Sequence, residues 1–212
     1  MTPRPPLLLA TRSRHKAAEI ARILHPLDLR VESLEDAGVE ERPEEEGIEA
    51  YETFRENAVA KARYLADRLG RPALADDSGL RVDALAGDPG VRTKRFCGRE
   101  DLDGQALDDA NNALLLEKLE GVPDEERGGR YVCCAAVAWP RGGHLAAVGT
   151  VVGRIARELR GAGGFGYDPL FFVPALDARF AEVEAAVKNR MSHRARAFRA
   201  LAAALDATPW AL

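Results

Sequence analysis

Apolar positions change their period along the chain. Residues 6–11, PLLLAT, form a short unbroken apolar run that predicts a buried strand. RHKAAEIARIL follows with apolar residues at 17, 18, 20, 21, 23 and 24, a helical repeat that His25-Pro26 stops. LRVESL, residues 29–34, predicts a second strand. This β-α-β opening points to an α/β fold. Residues 35–48 are polar and acidic, and a long helix is expected from Glu49 to Leu69, with Gly70 as its terminal cap. PALADD is then a short strand that delivers Asp76 and Asp77 at its carboxyl end, before a turn at Ser78-Gly79.

The second half continues the alternation. DGQALDDANNALLLEKLEG predicts a helix ending at a glycine. RYVCCAAVAWP and HLAAVGTVVGRIARELR flank RGG and predict an antiparallel pair joined by a glycine turn. RGAGGFGYDP is a glycine-rich loop, PLFFVP a short strand, and SHRARAFRALAAALDA a closing helix with Ser192 as N-cap. No internal repeat and no linker divides the 212 residues into independent domains, so one domain over 1–212 is expected.

The net charge of −4 lacks the basic field that drives nucleic-acid binding, so no nucleic-acid partner is expected and any anion site must be a local cluster. The run Leu7 to Ala10 is too short for a leader or a membrane span, which predicts a cytoplasmic protein with no membrane partner. Cys97, Cys133 and Cys134 lack metal-type spacing; the adjacent pair is expected as small core residues of a strand.

Five clusters carry candidate chemistry, each with a plainer alternative. ATRSRHK puts Arg12, Arg14 and Lys16 at a helix start, where backbone N–H groups favour anions; it could equally be a solvated basic turn. RPEEEG is an acidic surface loop or one half of a hard-cation site. Asn57 and Lys61, four apart, share a helix face from which Lys61 can reach a phosphate. Asp76 and Asp77 are neighbouring carboxylates in apolar surroundings, a costly pairing unless a cation binds them or one keeps its proton. GGFGYDP, with the later KNRMSHR, offers ring faces at Phe165 and Tyr167, an acceptor at Asp168, and donors at Lys188, His193 and Arg194. The aromatics taken alone are as compatible with ordinary core.

Taken together and in order, ATRSRHK, TFRENAVAKA, ADDSGLRVDALAGDPGV, GGFGYDPLFF and KNRMSHRARA resemble the inosine triphosphate pyrophosphatase family, the non-canonical purine nucleoside triphosphate pyrophosphatases. The resemblance spans roughly residues 7–205. It implies an elongated mixed sheet with flanking helices, two lobes and a nucleotide cleft, usually in a homodimer. The implied reaction cleaves ITP, dITP or XTP between the α and β phosphates, with Mg2+ as cofactor and Mn2+ as its substitute. On this resemblance Asp77 is the metal-linked general base, with Asp76 and Lys61 completing the catalytic set. Lys16, Lys61 and Ser78 would hold phosphates, Phe165, Tyr167 and Asp168 would frame the base, and Thr11, Arg12, Ser13, Asn57, Arg95 and Gly166 are further expected substrate contacts. Lys188, His193 and Arg194 would close the pocket. Glu44 and Glu45 are the expected metal partners of Asp77, with Glu46 and Glu49 as alternatives. The chain departs from the family where Thr11-Arg12-Ser13 replaces the usual Thr-Gly-Asn, in extra residues before TFRENA, and in GVRTKRF, of which only Arg95 matches. The alternatives are a septum-formation-related (Maf-type) pyrophosphatase, which TRSR faintly echoes, and a non-catalytic nucleotide-binding protein.

Overall fold

The computed structural model of the protein describes residues 6–207. Strand β1 (Leu7–Leu9) leads through helix α1 (Arg14–Leu24) to β2 (Val31–Ser33), the β-α-β opening that the pattern predicts. β1 pairs in parallel with β2 on one side and with β3 (Ala73–Val82) on the other. Ser13 caps α1 by accepting from the Lys16 N–H at 3.3 Å.

Helix α2 spans Phe54–Leu69, five residues shorter at its start than expected. The reason is Thr53, whose hydroxyl accepts from the Glu56 N–H at 3.1 Å and donates to the Glu56 carboxylate at 2.6 Å. That cap ends the helix there and leaves Glu49 in the preceding loop. Gly70 closes α2 in the left-handed conformation at φ 65°, as expected of a terminal glycine.

β3 corrects a second expectation. No turn forms at Ser78-Gly79; the strand runs on to Val82, and nine of its ten residues are buried. A turn inside that buried stretch would strand backbone N–H and C=O groups away from both ladder and water. Asp76 and Asp77 therefore stand mid-strand and point to opposite faces.

Helix α3 (Gly104–Lys118) precedes β4 (Gly128–Ala138) and β5 (His144–Ile155), which are sheet neighbours joined by a tight turn with Gly142 N–H on the Trp139 carbonyl at 3.0 Å. β6 (Phe171–Val173) and β7 (Ala178–Arg179) pair antiparallel. Helices α4 (Ala185–Met191) and α5 (His193–Asp206) follow, separated by Ser192 in extended backbone. The pattern missed β7 and α4, both too short to show a period. The sheet order is β2-β1-β3-β4-β5-β6-β7, a mixed α/β architecture. Among the described residues, no helix is long and apolar enough to cross a membrane.

The chain folds as two compact units. The first holds the segment up to Asp77, Cys133–Gly149 and the segment from His193; the second holds Ser78–Val132 and Thr150–Ser192. Strand parity organises the first. Leu7, Leu9, Leu74 and Cys133 pack with Ile20 and Ile23 of α1 and Phe198 and Leu201 of α5. Leu8, Ala73, Ala75 and Cys134 pack on the other face with Ala58, Ala62 and Leu65 of α2. The adjacent cysteines are thus core residues of opposite faces, as expected. The second unit is centred on aromatics, with Tyr131 edge-on to Phe171 at 4.6 Å and Phe180 5.6 Å from Phe171.

Candidate active site

Parity decides the two aspartates. Asp76 shares the face of Leu74, toward α1 and α5, and Asp77 the face of Ala73 and Ala75, toward α2. Each meets a different set of cations.

Asp76 is 1% exposed. Its carboxylate accepts from Arg194 Nε at 3.1 Å and lies 3.6 Å from Lys16 Nζ. Arg194, 1% exposed, gives its Nη1 to Glu19 at 2.8 Å. Burial alone would raise the Asp76 pKa, yet Lys16, Arg194 and Lys61 overcome it and hold the carboxyl well below the usual range. Burial likewise pulls on Arg194, and Asp76 and Glu19 outweigh it, keeping the guanidinium firmly charged. This is a closed ion network. It engages Asp76, expected in the catalytic set, and Arg194, expected to close the nucleotide pocket, with each other and with Glu19. His193, the first residue of α5, is also buried. Glu19 was missed by sequence reasoning; its signal is a carboxylate three residues after Lys16 on the buried stripe of α1 beside Ile20 and Ile23.

Asp77 stands in different company. Asn57 Nδ2 donates to its Oδ2 at 3.0 Å, and Lys61 Nζ lies 3.9 Å from its Oδ1. Lys61 also donates to the Asp76 carbonyl oxygen at 2.6 Å and bonds the Glu49 carboxylate. Burial pushes the Asp77 pKa above the ordinary carboxylate value, Glu49 adding to the rise while Lys61, Lys16 and the Asn57 bond oppose it. Burial would depress Lys61, but Glu49, Asp77 and Asp76 prevail and its ammonium stays charged. Asn57 fixes the loop before α2 too, accepting from Tyr51 N–H at 3.0 Å and donating to its carbonyl at 3.1 Å.

Of the two expected metal glutamates, Glu45 is engaged by arginines. Glu45 accepts a two-point bond from Arg12, at 2.9 and 3.1 Å, and one from Arg68 at 2.8 Å, while Glu44 is exposed. Both belong to the short helical turn Pro43–Gly47. Glu49, one of the alternatives, is the carboxylate that shares Lys61 with Asp77. Arg12 is correspondingly spent on Glu45 and on the Val39 carbonyl at 2.6 Å rather than held open for phosphate. The sequence hid this because Arg12 and Glu45 lie 33 residues apart and meet only in space. Thr11 accepts from Ser13 N–H at 3.2 Å, which shapes the turn leading into Lys16. Among the described residues no three His, Cys, Asp or Glu side chains form a metal-type cluster. A hard cation that takes one or two carboxylates plus substrate phosphates needs only the Asp77–Glu49 pair, and that pair's chemistry suits it.

In the second unit, the loop before β6 is tightly built. Asp168 is 2% exposed, accepts from Phe165 N–H at 2.9 Å, and is ion-paired to the buried Lys188 of α4. The Phe165 ring is half-buried with Lys188 Nζ 4.9 Å from its centre. Tyr167 departs from expectation: its ring is in the core, its hydroxyl donates to the Thr93 carbonyl at 2.8 Å, and burial raises its pKa. It anchors the loop and leaves Phe165 as the ring with an accessible side. Arg95 ends the short helical turn Gly90–Arg95 and is exposed; Ser78 is almost buried in β3. Of the expected residues, the structure therefore brings together Lys16, Asn57, Lys61, Asp76 and Asp77 in the first unit, and Phe165, Gly166, Tyr167, Asp168 and Lys188 in the second.

Comparison with known proteins finds relatives over most of the chain. The dITP/XTP pyrophosphatase of Frankia alni is 47% identical over 201 residues, covering 94% of this chain and 96% of that protein. One of the same name in Geobacter sulfurreducens is 48% identical over 191 residues, covering 90% and 92%. The solved structure of a HAM1 protein from Coxiella burnetii superposes with a TM-score of 0.81 at 35% identity, covering 97% of this chain and all of that one. The model of the Ham1 family matches residues 7–204, nearly the whole described chain, and the chain belongs to that family.

Proposed function

We propose that this protein hydrolyses non-canonical purine nucleoside triphosphates, dITP, XTP and ITP, to the monophosphate and pyrophosphate, clearing them from the nucleotide pool. The observation that carries the reading is Asp77: a largely buried carboxylate of raised pKa, held by Asn57 and flanked by Lys61 and Glu49. A carboxylate whose proton affinity is raised is a better proton acceptor than an ordinary surface aspartate. In this reading Asp77 orients water and takes its proton as the water attacks the α-phosphorus. Lys61 and Lys16, both charged amines within 4 Å of the aspartates, hold phosphate oxygens and offset their growing charge.

Asp77 and Glu49 would hold magnesium, or manganese in its place, and the bound ion would supply charge neutralisation on the triphosphate. Phe165 offers its ring face to the base, which stacks with little selectivity. Selectivity in this reading comes from donors of Arg194, His193 or nearby backbone N–H groups toward the carbonyl at position six, since adenine presents an amine there and leaves such donors unpaired. We read the whole chain as one pyrophosphatase domain acting as a homodimer, a state that sedimentation would decide.

The test is pyrophosphate release from dITP, XTP and dATP with magnesium present. A kcat/KM for dITP about 100-fold above that for dATP is expected, two unpaired donors at roughly 1–3 kcal/mol each setting the scale. Equal values refute the base reading, and no turnover of any of the three refutes the activity.

A further inference from the structure

Gly166 lies at the centre of the glycine-rich loop, between Phe165 and Tyr167, with φ at +63°. Both of its backbone polar groups are held by one helix. Its N–H donates to Asp108 Oδ2 at 2.7 Å, and its carbonyl accepts from Asn112 Nδ2 at 2.9 Å. Asp108 and Asn112 are four apart on α3 and so project from one face. Asn112 is 2% exposed, and the same Nδ2 also bonds the Asp108 carbonyl at 2.9 Å, which locks the two together. Asparagine is a poor residue for a helix interior, so two in succession there call for a reason. The neighbour Asn111 supplies a parallel one: it accepts from Cys97 N–H at 2.9 Å and donates to the Lys94 carbonyl at 3.0 Å.

We infer that Asp108 and Asn112 are positioning residues for the purine base, acting through Gly166 to fix the Phe165 ring. The Gly166 N–H belongs to the peptide plane shared with Phe165, and its C=O to the plane shared with Tyr167. Two bonds therefore immobilise both planes at once. Tyr167 is already fixed by its hydroxyl on Thr93, and the Phe165 N–H by Asp168. The backbone that carries Phe165 is thus set, and Lys188 Nζ lies 4.9 Å from the centre of its ring, so a base meets a ring mounted on a fixed backbone and spends less ordering entropy on binding. The geometry has a donor for the carbonyl and an acceptor for the N–H, and exchanging either type would set like against like.

The inference rests on the proposed function for its substrate, and the two fail separately. In Asp108→Ala the KM for dITP is expected to rise about tenfold, because the competent loop is populated less, while kcat stays within about twofold. The inhibition constant of inorganic tripolyphosphate, which has no base, stays at the wild-type value. Asp108→Asn keeps an oxygen acceptor and restores KM to within about threefold. Hydrogen exchange at the Gly166 amide reports the clamp directly and is faster in Asp108→Ala. An unchanged KM in a folded Asp108→Ala protein whose Gly166 amide has been freed overturns the inference. So does a rise in the tripolyphosphate constant equal to that in KM, which marks a general loosening. If wild-type protein does not turn over dITP, the proposed function falls instead. Exchange alone then decides the clamp, unchanged Gly166 exchange in Asp108→Ala rejecting it and faster exchange upholding it.

Discussion

Asp76→Asn and Asp77→Asn, adjacent and isosteric, should have crossed effects. Asp76 is enclosed by Arg194 Nε at 3.1 Å and Lys16 Nζ at 3.6 Å. Neutralising it leaves a buried guanidinium with Glu19 as its remaining carboxylate partner in that network. Removing one member of a buried pair costs about 3–5 kcal/mol, and the retained Glu19 bond points to the lower end, about 3 kcal/mol. For a chain of this size that lowers Tm by roughly 6–12 °C. The folded pKa of Asp76 is depressed, so its contribution is present above the unfolded value of about 3.9 and is lost as pH falls through the folded value. The gap between Asp76→Asn and wild type should therefore be full at neutral pH and close in strong acid. Asp77 has the opposite sign. Its folded pKa is raised, so the charged form costs stability at neutral pH, and Asp77→Asn should melt at or above the wild-type temperature. Its turnover should fall roughly 100- to 10,000-fold, the contribution of a general base. Thermal melts across pH and pyrophosphate release, on both variants, measure this. An Asp76→Asn protein melting within about 1 °C of wild type at neutral pH would refute the closed network. A well-folded Asp77→Asn enzyme of near wild-type rate would refute the base.

Three further outcomes follow from contacts around the same residues. Asn57→Ala removes the bond that lowers the Asp77 pKa, so the acid limb of the kcat profile should move to higher pH; a limb that stays put or moves down rejects Asp77 as its source. Glu49→Gln should raise the magnesium concentration for half-maximal rate by about tenfold or more, the usual scale for disturbing a metal's surroundings, whereas Glu45→Gln should leave it within about twofold and loosen Arg12 and Arg68 instead. The reverse ranking returns the metal to Glu45. In Gly149→Ala the new Cβ would lie 2.2 Å from the His193 carbonyl oxygen and 2.3 Å from the Ala197 nitrogen, so β5 and α5 must part. A loss of about 1–3 kcal/mol or more is expected, and an unchanged melt denies that close packing.

Long, strongly periodic segments were legible in the sequence. α1 begins and ends where its apolar repeat and its Pro26 say it should, and Gly70 closes α2 as a left-handed cap. The motifs also marked Lys16 at a helix start and Asn57 and Lys61 on one helix face, because a helix start and a helix face are local features. Contacts made across distant segments were not legible. Nothing in ATRSRHK says that Arg12 will bind Glu45, 33 residues away, nor in SHRARA that Arg194 will bridge Asp76 and Glu19, 118 and 175 residues away. The role of Thr53 was visible in principle, since Thr-x-x-Glu is a helix-start signature, and reading it would have placed Glu49 in the loop beside Lys61.

The mistaken turn at Ser78-Gly79 explains why the two aspartates can coexist. Were both at a loop, they would face one space and repel, and one would have to keep its proton or share a cation. As consecutive residues of one strand they are directed to opposite faces, and each face supplies its own cations: Lys16 and Arg194 on one side, Lys61 on the other. Lys61 couples the two positions, since it bonds the backbone carbonyl of Asp76 while its charge sits by the carboxylate of Asp77. The buried Asp76 network thereby holds the strand that carries Asp77, while burial keeps the proton affinity of Asp77 raised. A single aspartate on this strand would face one side only; the consecutive pair puts one carboxylate among the cations of α1 and α5 and the other beside Lys61 of α2, with pKa shifts in opposite directions.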